Sequence, residues 1–268
     1  MKYGFIGTGC MGGALAIACA KAIGPEDILL SNRSPEKAQA LAEKLGAIPA
    51  DNETITRDCD VIFLGVKPQT MAQMLLPLQP ILTGRRTPFV LVSMAAGVTI
   101  EALQDMAGGR YPVVRIMPNT ACAVGAGMTT YTCSAEVTDR QRQAVLDALA
   151  ASGLLEEIEE GLMGAASAVA GCGGAFACLF LEGLADGGVL CGLPRKKAQR
   201  MAAQMLLGMA TQALESDEHT GALKDAVCSP AGSTIAGIRK LESMSFRSAA
   251  MEAVIAAWER EREMQQQK

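Results

Sequence analysis

Short runs of β-branched and aliphatic residues recur through the first part of the chain, at 3–6, 28–31, 61–66, 89–93 and 113–117. Between them, apolar residues recur at helical spacing over 12–22, 35–44, 69–75, 100–106 and 139–151. Ser34-Pro35-Glu36 marks one helix start, since serine can cap and proline tolerates the first helical position. Strands and helices in alternation predict an α/β fold with a doubly wound parallel sheet of Rossmann type over residues 1–160. The runs 128–132 and 154–157 are expected to add edge strands.

After residue 160 the strand pattern stops, and long Ala, Leu, Met and Gly patterns predict an all-helical dimerisation domain over 161–268. Pro194 opens a helix in which Ala198, Met201, Ala202, Met205, Leu206 and Met209 recur at helical spacing, with Arg195, Lys196, Lys197 and Arg200 on its solvated face. A domain so apolar would expose large patches as a monomer, which predicts a homodimer at least, or a higher homo-oligomer. Two segments imitate membrane signals. The amino terminus looks like a secretory leader, but Gly4, Gly7, Gly9, Gly12 and Gly13 interrupt it. The uncharged stretch 161–181 could span a bilayer, yet it has acidic flanks and no positive anchors. A helix buried in a core or subunit interface is expected there, and no membrane partner.

Composition narrows the chemistry. The chain has 268 residues, half of them hydrophobic, and a net charge of −4, which argues against nucleic acid as a partner. Its nine cysteines are scattered without a Cys-x-x-Cys pair, so they read as small buried hydrophobes of a reducing cytoplasm and not as metal ligands. The one histidine, His219, reads as a helix end or turn residue, which leaves no multi-histidine metal site and little room for a Ser-His-Asp triad.

Gly7-Thr8-Gly9-Cys10-Met11-Gly12 follows the first strand and opens the first helix, the setting in which G-x-G-x-x-G binds a dinucleotide. Glycine allows the tight turn and a close backbone approach to pyrophosphate, and the helix amino end adds partial positive charge. Where an NAD site usually carries an acid after the second strand stand Asn32, Arg33 and Ser34. A guanidinium and small donors suit a 2′-phosphate, so NADPH is expected over NADH, with NADH still usable.

Further segments align with this fingerprint: Val66-Lys67-Pro68, Ala95-Ala96-Gly97-Val98, Arg115-Ile116-Met117-Pro118-Asn119-Thr120, Asp186-Gly187-Gly188, Gly192-Leu193-Pro194-Arg195 and Ser229-Pro230-Ala231-Gly232-Ser233-Thr234. In order and spacing, over nearly the whole chain, they resemble the pyrroline-5-carboxylate reductase family. The resemblance implies reduction of a cyclic imine, 1-pyrroline-5-carboxylate, to L-proline with NAD(P)H in proline biosynthesis. It also implies that Asn32, Arg33, Ser34 and Asn52 hold the adenosine end, that Val66, Lys67 and Pro68 lie along the cofactor, and that Ala95, Ala96 and Asn119 lie near the nicotinamide. Ser229, Gly232, Ser233 and Thr234 would form the substrate loop, with Thr234 near the imine nitrogen. The sequence departs from the family at Ala170 to Phe176, where serines, proline and tyrosine are usual, and at Ala121, Ala231 and Ser233. These changes bear on the substrate pocket, not on the fold.

The loop also has a reading of its own: a turn into a helix amino terminus, whose free N–H groups suit a carboxylate. The plainer reading is a capping turn using Ser233 or Thr234. Two other functions remain open at this stage. One is a β-hydroxyacid dehydrogenase-like reductase using Lys224 as its second-domain lysine. The other is a nonenzymatic NADP-binding sensor.

Overall fold

The structure, a computed structural model, describes Met1 to Gln266 and divides into two compact units. The first comprises Met1–Gly171 and the end of the chain from Trp258; the second is Cys172–Ala257.

The first unit runs β1 (Tyr3–Ile6), α1 (Cys10–Ile23), β2 (Ile28–Ser31), α2 (Pro35–Leu45), β3 (Ile48–Pro49), α3 (Asn52–Asp58), β4 (Val61–Leu64), α4 (Pro68–Leu75) and α5 (Gln79–Gly84). It continues through β5 (Val90–Ser93), α6 (Ile100–Ala107), β6 (Val113–Met117), β7 (Gly127–Cys133), α7 (Asp139–Leu149), β8 (Gly153–Glu157) and the single turn α8 (Met163–Ala166). The strands form one sheet in the order β3-β2-β1-β4-β5-β6-β7-β8, parallel from β3 through β6. β7 runs antiparallel to β6, and β8 pairs parallel with β7. The expectation of two edge strands is therefore half corrected: β8 is an edge, but β7 lies inside the sheet, because helix α7 carries the chain across to a strand beyond it.

Successive strand residues feed two cores. Phe5, Val61, Phe63, Val90 and Val92 face one side with Leu15 and Cys19 of α1, and Ile6, Ile62, Leu64 and Leu91 face the other with Ile55, Met71 and Leu103. Pleating sends alternate side chains to opposite faces, and helices cover both, which is why these strands read as unbroken apolar runs. Phe5 and Phe63 stack across β1 and β4 with centroids 4.3 Å apart. Burial pushes the Cys19 and Cys59 thiols up to about 12, which leaves them inert packing groups. Helix ends follow side-chain logic at Thr138, which forms a reciprocal capping box with Gln141, and at Asp51, which accepts from Thr54 N at 2.7 Å. Ser34 stands at the N-cap of α2, but its hydroxyl makes no capping bond.

The second unit holds α9 (Gly173–Leu190), α10 (Arg195–Glu215), α11 (Thr220–Ala226) and α12 (Ser233–Ser243). The last helix, α13 (Phe246–Gln266), begins in this unit. α9 and α10 pack together, and Arg195 pairs with Asp186. Among the described residues this unit buries only four hydrophobic side chains, Ala185, Ala198, Ala202 and Leu223. It leaves Leu190 89%, Leu179 71% and Met244 69% exposed. The helical run Glu160–Leu190, with a mean hydropathy of 1.7, is long and apolar enough to cross a membrane by length and composition, and 11% of its most apolar window is buried.

Candidate active site

The glycine-rich loop leaves β1 at the centre of the sheet, between β2 and β4, where the chain changes direction of winding. In open α/β sheets, ligands bind at this switch point, beyond the carboxyl ends of the strands. Gly7 adopts φ +99, a conformation that side-chain-bearing residues rarely tolerate, and donates its N–H to Ser31 O at 2.9 Å. The carbonyl of Gly7 abuts both Gly12 and Gly65, so a methyl group at either position would collide with it. Three glycines thus let the first turn of α1 press against the ends of β1 and β4.

What remains exposed is a helix amino terminus. Gly9 occupies the N-cap of α1 with no side-chain capping bond, and the space beside its Cα is open. The first N–H groups of a helix have no intrahelical acceptor, so those of Cys10, Met11 and Gly12 are suited to an anion. Thr8 adds a second sign. Its hydroxyl is buried, with the residue 8% exposed, yet it has no hydrogen-bond partner. Buried hydroxyls are nearly always paired, so an orphan beside an uncapped helix end fits a dinucleotide pyrophosphate.

A cavity of 880 Å³ opens at the ends of β2 and β3. It brings together two of the residues expected at the adenosine end, Asn32 and Asn52. Asn52 is held by Ser31, whose hydroxyl donates to Asn52 Oδ1 at 2.6 Å. Arg33 and Ser34 lie in the turn leading to Pro35; Arg33 is exposed, and its N–H donates to Asn32 Oδ1 at 3.0 Å. The same cavity is lined by the carboxylates of Glu36, Asp51 and Glu53. Hydrogen bonds from the Thr54 backbone and side chain hold Asp51 below the usual carboxylate range. Sequence reasoning missed Asp51 as a cap, although an aspartate is one of the residue types that cap a helix start.

The other expected residues follow the same carboxyl edge. Val66, half-buried, and Lys67, exposed, come after β4; Lys67 is the N-cap of α4 with Pro68 as its first helical residue. After β5, Ala95 is buried and Ala96 exposed, and Gly97 turns the chain at φ +70. Asn119, after β6, is engaged by the protein itself: its amide nitrogen donates to Ala170 O at 3.0 Å and its oxygen accepts from Ala121 N at 3.2 Å. Its side chain therefore braces the turn beyond β6.

In the second unit, Ser229, Gly232, Ser233 and Thr234 form one turn into α12. Gly232 is the N-cap, it donates its N–H to Ser229 O at 3.0 Å, and no side chain caps the helix. The plainer reading of Ser233 or Thr234 as a cap thus does not hold; both stand exposed in the first turn. Ala231 takes φ +58, where its Cβ costs about 1–2 kcal/mol that glycine would avoid. His219 proves a helix-end residue, its Nδ1 accepting from Gly221 N at 3.0 Å. Lys224 pairs with its neighbour Asp225, whose carboxylate raises the ammonium pKa and keeps it protonated.

Residues 160–264 match the pyrroline-5-carboxylate reductase dimerisation family, and residues 2–97 match the coenzyme F420-dependent NADP oxidoreductase family. The pyrroline-5-carboxylate reductase of Methanosarcina acetivorans is 40% identical over 98% of this chain and 97% of its own. The chain belongs to the pyrroline-5-carboxylate reductase family. Among solved structures, the Plasmodium falciparum pyrroline carboxylate reductase with NADP bound is 34% identical with a TM-score of 0.87, covering 99% of this chain and 98% of its own. The reductase of Coxiella burnetii superposes with a TM-score of 0.90 at 30% identity, over 98% and 97% of the two chains. In this pyrroline-5-carboxylate reductase relative, the glycine loop falls within the oxidoreductase match and the Ser229 to Thr234 turn within the dimerisation match.

Proposed function

We propose that this chain reduces 1-pyrroline-5-carboxylate to L-proline, the last step of proline biosynthesis, with NADPH preferred over NADH. The uncapped amino end of α1, opened by glycines at the sheet's switch point, carries this reading in a chain of this family. The N–H groups after Gly9 and the Thr8 hydroxyl hold the pyrophosphate. Asn32, Arg33, Ser34 and Asn52 hold the adenosine end, Val66, Lys67 and Pro68 flank the middle, and Ala95, Ala96 and Asn119 border the nicotinamide. Bound there, the reduced nicotinamide supplies a hydride to the imine carbon.

The Ser229 to Thr234 turn holds the substrate. Free N–H groups at the start of α12, with the hydroxyls of Ser229 and Ser233, receive the carboxylate. Thr234 orients the imine nitrogen. A protonated imine already carries its proton and positive charge, so positioning accounts for most of the rate and no strong protein acid is required. The second domain, 161–268, makes the subunit contact: its exposed apolar helices, Glu160–Leu190 included, face another copy of the chain and not lipid. The nine free thiols among the described residues suit a reducing cytoplasm.

NADPH oxidation followed at 340 nm tests the assignment. Steady turnover is expected with pyrroline-5-carboxylate and negligible turnover with 2-keto acids; a preference for the keto acids would return the dehydrogenase reading. Thr234→Ala should lower kcat/KM for the imine about tenfold or more, the cost of one hydrogen bond to a charged group, and leave NADPH affinity nearly unchanged. Unaltered turnover would remove Thr234 from the site.

A further inference from the structure

Ser31, the last residue of β2, is buried on the face of the strand that Leu29 presents to Ile55 of α3. About one helical turn before Ile55 stands Asn52, the first residue of α3, and the Ser31 hydroxyl donates to its Oδ1 at 2.6 Å. That length belongs to an O–H donor and is too short for an amide N–H, which sets the direction of the bond. The Ser31 hydroxyl has no other hydrogen bond among the described residues. Its single proton is thus committed to the amide oxygen.

Asn32 is held in the same sense. Its Oδ1 accepts the N–H of Arg33 at 3.0 Å, and a backbone N–H can only donate. Both asparagines of the cavity wall are therefore anchored through oxygen. Their Nδ2 groups make no hydrogen bond among the described residues, and neither atom is enclosed as the Thr8 hydroxyl is, so both stay open to solvent.

An amide nitrogen carries two donors and no acceptor. A 2′-phosphate offers only acceptor oxygens, so it answers these groups in full. A ribose hydroxyl must also place its own proton, and an Asn52 free to turn half a revolution would take it on Oδ1. Ser31 prevents that turn. The Glu36, Asp51 and Glu53 carboxylates of the same wall repel a phosphate, which leaves its recognition to donors held in one orientation. We propose that Ser31 is a positioning residue for cofactor choice: it locks the Asn52 amide with its NH2 turned outward and so favours a 2′-phosphate over a 2′-hydroxyl. The proposal rests on the assignment of Asn32 and Asn52 to the adenosine end.

Titration of the intact protein with NADPH and with NADH, followed by nicotinamide fluorescence, tests it. Ser31→Ala removes the hydroxyl and keeps the backbone bond from Gly7 N to Ser31 O. The Kd for NADPH should rise about threefold to tenfold, the loss of one hydrogen bond, while that for NADH stays nearly constant. The kcat at saturating NADPH should be unaltered. Competition by 2′,5′-ADP should weaken in parallel and that by 5′-AMP should not, which locates the effect at the adenosine end. In an Asn52→Ala background, Ser31→Ala should add nothing, because the hydroxyl acts through the amide. An equal loss for both cofactors makes Ser31 a structural residue and overturns the proposal. Unchanged NADPH affinity in Ser31→Ala, or the same penalty with Asn52 absent, overturns it too. Each of these leaves the reductase reading standing, whereas a folded wild type that binds neither cofactor removes both.

Discussion

Gly12→Ala should cut kcat/KM for NADPH by about a hundredfold, through a single methyl group. That methyl would be driven into the carbonyl oxygen of Gly7, with the Gly7 carbonyl carbon 3.2 Å away. Neither atom can yield cheaply. Gly7 is held at φ +99 by its place between β1 and α1, and its N–H is bonded to Ser31 O on the neighbouring strand. The first turn of α1 must instead move away from the sheet, carrying with it the N–H groups proposed to bind the pyrophosphate. A displacement near 1 Å is enough for a loss of this size. Overpacking costs about 1–3 kcal/mol of stability, so the protein should remain folded, and direct NADPH titration can be compared with a melting curve. Wild-type NADPH affinity in a folded Gly12→Ala protein would separate the glycine loop from the cofactor.

Arg33→Asp should reverse the cofactor preference. Glu36, Asp51 and Glu53 line the cavity beside Asn32 and Asn52, and their field opposes a 2′-phosphate. Arg33 is the cation of the adjoining turn, and a charge-assisted bond to phosphate contributes about 1.5–3 kcal/mol. Replacing it with a further carboxylate removes that attraction and adds repulsion. The KM for NADPH is expected to rise about tenfold to a hundredfold, while that for NADH changes little. Parallel kinetics with the two cofactors check this, and an equal rise for both would mean that Arg33 does not read the phosphate.

Local features were legible in the sequence. β1, β2 and β6 begin and end where the apolar runs do, because strands covered by helices on both faces leave unbroken aliphatic signatures. β4 stops at Leu64, two residues before its apolar run ends, since Gly65 and Val66 have already left the sheet to approach Gly7. The small elements β3, α3 and α5 escaped notice, being two to seven residues long and too short to show a period. The glycine loop was readable because strand, turn and helix are contiguous. Pairing of Ser31 with Asn52 was not, as it joins the ends of two strand–helix units 21 residues apart.

The thin interior of the second unit has a consequence for how the chain comes to be folded. Ordering one residue costs about 1–2 kcal/mol of backbone entropy, and four buried hydrophobic side chains, three of them alanine, return only a fraction of that over so many residues. The sheet and its covering helices, by contrast, carry two cores of their own. In the proposed homo-oligomer the helices that follow would gain the rest of their stability from another chain, and the last stage of maturation would then be a collision, its pace set by how crowded the newly made subunits are.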